Sequence, residues 1–185
     1  MIAKKQRLLT PSKVTAWLDC AHFLTLQHEV DDGSRARPDG GMGEFAQLLL
    51  AKGLEHERAC LAALSVDPGD VHEVPPWRTG NESFAAWVAR VGDVLSLGHR
   101  VVYQMPFVHD GMRGIADFLV RVDLPDGRFT YEPVDAKLAR AEAKPGHALQ
   151  LCFYAEAIAA LGFTAPTNVH IWPGSGPCAT IRVPD

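Results

Sequence analysis

The segment Tyr131-Glu132-Pro133-Val134-Asp135-Ala136-Lys137 reads as a short strand. Side chains alternate along a strand, so Asp135 and Lys137 share one side while Val134 and Ala136 turn to the other, towards a core. Upstream, Arg113-Gly114-Ile115-Ala116-Asp117-Phe118-Leu119-Val120 belongs to a second strand, running from Gly114 to Asp123. Pro125-Asp126-Gly127 between them is a turn signal. Antiparallel pairing about Asp126 would set Asp117 and Asp135 opposite one another on one face. Opposed carboxylates repel by roughly several tenths of a kcal/mol unless a cation lies between them. Hard oxygen ligands suit magnesium or manganese. The plain alternative is a pair of solvated aspartates on an exposed hairpin. The apolar neighbours Ile115, Phe118, Leu119, Val120 and Val134 argue for a buried sheet, where unpaired carboxylates are costly.

The elements around this hairpin predict an α/β domain with a mixed central sheet. Thr10-Pro11 is a helix start, with Val14, Trp17, Leu18 and Ala21 on one face and an end between Cys20 and Leu26. Residues 30–42 are rich in Asp, Gly, Arg and Pro and read as a mobile loop. Helices are expected over 44–64, 82–97 and 147–161. In the first of these, Phe45, Leu48, Leu49, His56, Cys60 and Leu64 recur at helical spacing. Strands are expected at 71–74, 100–108, 168–172 and 178–183, with a hairpin turn at His109-Asp110-Gly111. Residues 138–143 read as a helical turn.

With 185 residues, 47% of them hydrophobic, one domain with one core is expected. No apolar run is long enough to cross a bilayer, and no apolar segment follows the basic start to make a signal peptide, so a cytoplasmic protein is expected. Cys20, Cys60, Cys152 and Cys178 are scattered and read as free core thiols. The net charge of −4 supplies no global basic field, so any nucleic-acid binding must rest on local patches and a metal.

Two further groups carry chemical meaning. His56 lies on the apolar stripe of its helix, where a histidine is usually a packed core residue. It becomes a third metal ligand if that helix faces the carboxylates, with Glu57 as an alternative acid. No His-Glu-x-x-His is present, which excludes the zinc-protease reading. Gln150 and Tyr154 lie four apart on one helical face and could hydrogen-bond a phosphate or nucleotide. An ordinary amphipathic helix is the alternative there.

The pieces follow one order: Gly53-x-x-His56-Glu57 on a helix, Gly114-x-x-Asp117 on a strand, Asp135-x-Lys137 on a strand, then Gln150-x-x-x-Tyr154 on a helix. That order resembles the RecB-like branch of the PD-(D/E)xK nuclease superfamily. The flanking Leu9-Thr10-Pro11-Ser12, Trp17-Leu18-Asp19-Cys20 and Val134-Asp135-Ala136-Lys137-Leu138-Ala139-Arg140 resemble a bacterial group of RecB-like nucleases. In that group the domain is commonly the N-terminal part of a longer protein. The resemblance implies a restriction-endonuclease-like core and a magnesium- or manganese-dependent DNA nuclease acting in repair, recombination or defence. It implies His56, Asp117 and Asp135 as metal ligands, with the Ala136 carbonyl as a further oxygen. Lys137 would be the catalytic lysine, and Gln150 and Tyr154 catalytic-site partners that touch the DNA backbone. Beside the site, Arg140, Lys144 and His147 are candidate backbone contacts, as is a Lys4, Lys5 and Arg7 arm, for which a frayed terminus is the alternative; Trp77, Arg78 and Trp172 could stack bases, with buried packing the alternative for Trp172. Some relatives hold an iron–sulfur cluster with one cysteine before the core and three after it. Only Cys178 follows the core here, so no cluster is expected. The alternative function is a catalytically weak nucleic-acid-binding module serving a fused or partner helicase or nuclease.

Overall fold

A computed structural model describes residues 8–38, 40–41, 43–67, 69–138 and 145–183. The chain is α/β, with a mixed six-stranded sheet flanked by helices. The strands are β1 (Val71–Glu73), β2 (Val101–His109), β3 (Met112–Asp123), β4 (Phe129–Lys137), β5 (Asn168–Pro173) and β6 (Ala179–Arg182). They lie side by side in chain order. β1 pairs with β2 and β4 with β5 in parallel; the other neighbours are antiparallel.

The helices are α1 (Pro11–Asp19), α2 (Phe23–Asp32), α3 (Glu44–Leu64), α4 (Phe84–Val91) and α5 (Pro145–Ala160). Thr10 caps α1 by accepting from the Lys13 backbone N–H, with Pro11 at the first helical position. Residues 30–32, placed in the loop by sequence, instead finish α2. Phe23, Leu24, Leu26 and Val30 supply its apolar spacing, and Gly33 in a left-handed conformation ends it. The helix expected over 82–97 is α4 followed by a 3₁₀ segment, Gly92–Leu97. The turn expected at 138–143 falls almost wholly outside the described residues.

The sheet separates two cores. On one side Trp87, Val91 and Leu95 from α4 and its 3₁₀ extension meet Leu151, Tyr154 and Ile158 of α5 over Val102, Leu119 and Tyr131. On the other, Cys60, Leu61 and Leu64 of α3 cover Phe118, Val134 and Trp172. Val134 and Ala136 thus point to the α3 side. By strand alternation Asp135 and Lys137 point to the α5 side.

Only the second half of α3 is packed. Phe45 is 73% exposed and Leu48 and Leu49 are also exposed, against the inward stripe read from their spacing. Periodicity identifies an apolar face, not whether a neighbour covers it. The cysteines divide likewise: Cys60 is buried, whereas Cys20 and Cys178 are exposed rather than core thiols. Among the described residues no helix is long and apolar enough to cross a membrane.

Candidate active site

The site forms where β3 and β4 part. Their ladder runs from Asp123↔Phe129 to Phe118↔Val134 and stops there. The next pair in register is Asp117 and Asp135, as a turn centred on Asp126 requires. Beyond this point three backbone groups of the diverging strands find other partners, as buried polar groups must. The Ala136 N–H donates to Asp117 Oδ2 at 2.9 Å. The Arg113 N–H donates to the Leu9 carbonyl, which bridges onto β3 from the N-terminal segment. The Ile115 carbonyl accepts from the Tyr154 hydroxyl at 2.6 Å. The fork is therefore held open by side chains and by residue 9, not left as two frayed strands.

Asp135 is 1% exposed. Its Oδ1 accepts from Lys137 Nζ and from Gln150 Nε2, each at 2.9 Å. Among the described residues its buried Oδ2 has no hydrogen-bond partner. Burial raises the Asp135 carboxyl above its ordinary range, while Lys137 pulls it back. Burial, the Asp135 charge and the Glu57 charge together push Asp117 up to about 7. Two carboxylates desolvated side by side lack enough positive charge.

Gln150 and Tyr154 of α5 thus act differently from one another. Gln150 orients the buried Asp135, whereas Tyr154 spends its hydroxyl on β3. Tyr154 also explains Gly114. A Cβ there would sit 2.9 Å from the Tyr154 ring and hydroxyl and 3.1 Å from Phe153. Gly114→Ala is expected to cost about 1–3 kcal/mol through overpacking. That corresponds to a fall of several degrees in thermal midpoint, roughly 2–4 °C per kcal/mol for a domain of this size. Tyr154→Phe, which keeps the crowded ring, is expected to cost only about 1 kcal/mol. Melting curves of the two variants check this contrast.

The two α3 residues, His56 and Glu57, have different partners. The ring of His56 packs beside Cys60, and its Nε2 lies 3.0 Å from the Trp172 carbonyl. Its neighbour Glu57 is the α3 group whose charge acts on Asp117. Glu57 Oε1 accepts from the Tyr103 hydroxyl at 2.9 Å and from Gln104 Nε2. Gln104 follows Tyr103 on β2 and lies across from Asp117. Its φ of 61° is left-handed. That backbone breaks strand alternation and turns Gln104 and Tyr103 towards the same carboxylate, at a cost of about 1–3 kcal/mol. Sequence reading named neither Tyr103 nor Gln104, because a left-handed residue inside a strand leaves no compositional trace.

The structure brings Asp117, Asp135, Lys137, Gln150 and Tyr154 together and adds Glu57 at their edge; His56 Nε2 meets the carbonyl of Trp172, the β5 partner of Ala136. Arg140 and Lys144 lie outside the described residues. Trp77 donates its indole N–H to the Glu82 carbonyl, and Trp172 packs in the α3-side core. Among the described residues no three His, Cys, Asp or Glu side chains are arranged to hold a metal ion. Magnesium, however, keeps several waters and is commonly bound through one or two carboxylates. No protein-family model and no curated protein matches the chain.

Proposed function

We infer that the chain is a divalent-metal-dependent nuclease that hydrolyses phosphodiester bonds in DNA, built as a RecB-like member of the PD-(D/E)xK superfamily with a restriction-endonuclease-like core. The observation that carries this is the Asp117–Asp135 pair at the β3–β4 fork. Both carboxyls are raised, Lys137 lies against one of them, and Asp135 Oδ2 is an orphaned buried acceptor. An orphan oxygen beside a second desolvated carboxylate is the donor chemistry that a hard divalent cation satisfies. Asp117 and Asp135 would hold magnesium or manganese, with the Ala136 carbonyl as a further oxygen. His56, whose Nε2 meets the Trp172 carbonyl, would be the third protein ligand. When bound, the ion lowers the pKa of a coordinated water and offsets charge on the phosphate oxygens.

The protein's own groups divide the remaining work. Gln150 fixes the rotamer of Asp135 so that Oδ2 stays turned away from its donors. Lys137 sits on the same carboxylate and offers an ammonium to a water or to a phosphate oxygen as negative charge develops there. Tyr154 and Ala136 keep the fork open, so that a phosphodiester reaches both groups at once. Glu57 adds negative charge beside Asp117 and sharpens the demand for a cation.

The test is cleavage of end-labelled single- and double-stranded DNA by purified protein with manganese, with magnesium and with EDTA. Cleavage is expected with either ion and none with EDTA. DNA binding that is independent of metal and never leads to cleavage would favour the non-catalytic binding module instead.

A further inference from the structure

A cleft of about 420 Å³ opens beside the fork, within the range that takes one small ligand. Lys137, Gln150 and Tyr154 line it, and so does Arg113, a residue the nuclease reading does not use. The Arg113 guanidinium stacks 4.9 Å from the ring centre of Phe84 and 5.6 Å from that of Trp77. Its backbone is fixed by the bond to Leu9. Among the described residues no carboxylate pairs with it, and no acidic side chain lines the cleft. The remaining wall is largely apolar, from Pro11, Trp77 and Ile115. The cleft therefore joins two cations, one of them rigidly stacked, to a hydrophobic wall.

We propose that this cleft binds one unpaired nucleotide of the strand being cut, with its phosphate on Arg113 and its sugar and base against Trp77, Pro11 and Ile115. The proposal rests on the nuclease reading and specifies its substrate as a single strand or a frayed end. A base that lies against this wall has left its stack and cannot remain paired with a complementary strand. Arg113 suits the task because a guanidinium meets phosphate oxygens in a planar fork while its face remains on an aromatic ring. The anion is a phosphate, supplied either by an internal linkage next to the scissile one or by a terminal phosphate.

The test is steady-state cleavage of an end-labelled oligothymidylate in manganese, free and annealed to its complement. Wild type is expected to prefer the free strand at least about tenfold. Arg113→Ala is expected to raise KM at least about tenfold with kcat within about twofold. A methylphosphonate that neutralises the linkage beside the cut should cost wild type a similar factor and cost Arg113→Ala nothing further. If only removal of a terminal phosphate reproduces that pattern, the ligand is the strand end. Arg113→Gln, which keeps a planar group over the two rings, repeats the measurement if the alanine variant is unstable.

An unchanged KM, an equal methylphosphonate penalty in wild type and variant, or equal cutting of duplex would overturn the subsite while leaving the nuclease reading intact. A wild-type protein that cuts no nucleic acid at all overturns both.

Discussion

Asp117→Asn is expected to abolish cleavage and, at neutral pH, to stabilise the metal-free protein. The two effects share one cause. Folding places Asp117 beside Asp135 away from water, which raises its pKa from 3.8 to about 7. A carboxyl raised on folding contributes stability that is fully present below its unfolded value. That contribution is lost as pH rises through the folded value. Metal-free wild type should therefore weaken between about pH 4 and 7. Asparagine carries no charge to desolvate, and its side-chain carbonyl still accepts the Ala136 N–H. Each pKa unit is worth about 1.4 kcal/mol, so the variant should gain on the order of 2–4 kcal/mol at pH 8. Cleavage should fall by at least about 10²–10³-fold, because the same charge is needed for the metal and the transition state. Manganese should raise the melting temperature of wild type and leave that of the variant unchanged. Equal melting temperatures at pH 8, or a manganese shift in the variant equal to that of wild type, would show that Asp117 is not a cation-seeking carboxylate.

Lys137→Ala is expected to lower kcat by about 10²–10³-fold, the loss typical of removing one group that meets developing charge. Manganese should still protect the folded protein, because the two carboxylates remain. Lys137 donates to Asp135 Oδ1, but Gln150 donates to the same oxygen, so one partner survives the substitution. The variant should fold, bind the ion and fail to cut. Lys137→Arg should not restore the rate, since a forked guanidinium cannot take the place of a compact ammonium on a buried carboxylate. Full activity in Lys137→Ala would remove the lysine from the chemistry and leave it as an ion-pair partner of Asp135.

The hairpin at the centre of the site could be read from sequence because turn and alternation agree. Pro125-Asp126-Gly127 sets the centre of symmetry, the apolar alternation sets the faces, and the register of Phe118 against Val134 follows from both. The limits of α3 were equally legible, because Glu44 and Leu64 bound one unbroken apolar repeat. What covers that repeat was not. Cys60 is packed, while Phe45, about four turns earlier on the same apolar face, stands in solvent.

Helical phase also separates the partners of His56 and Glu57. Adjacent helix residues differ by about 100° in direction. His56 follows the packed stripe of Cys60 towards Trp172, and Glu57 turns to Tyr103 and Gln104 on β2. Sequence spacing could not say which partners each of the two would find. The break in alternation at Gln104 and the stacking of Arg113 were hidden for another reason. Both depend on tertiary neighbours, the α3 carboxylate in one case and the Phe84–Trp77 platform in the other.

The most direct measurement is cleavage of end-labelled single-stranded DNA by the purified protein in manganese, before and after EDTA and again after manganese is restored, beside Lys137→Ala. Cutting that stops with EDTA, returns with manganese and is absent from the variant is the expected result. Cutting that persists through chelation and in Lys137→Ala, or a wild-type protein that binds DNA and never cuts it, would contradict a metal-dependent nuclease centred on Asp117, Asp135 and Lys137.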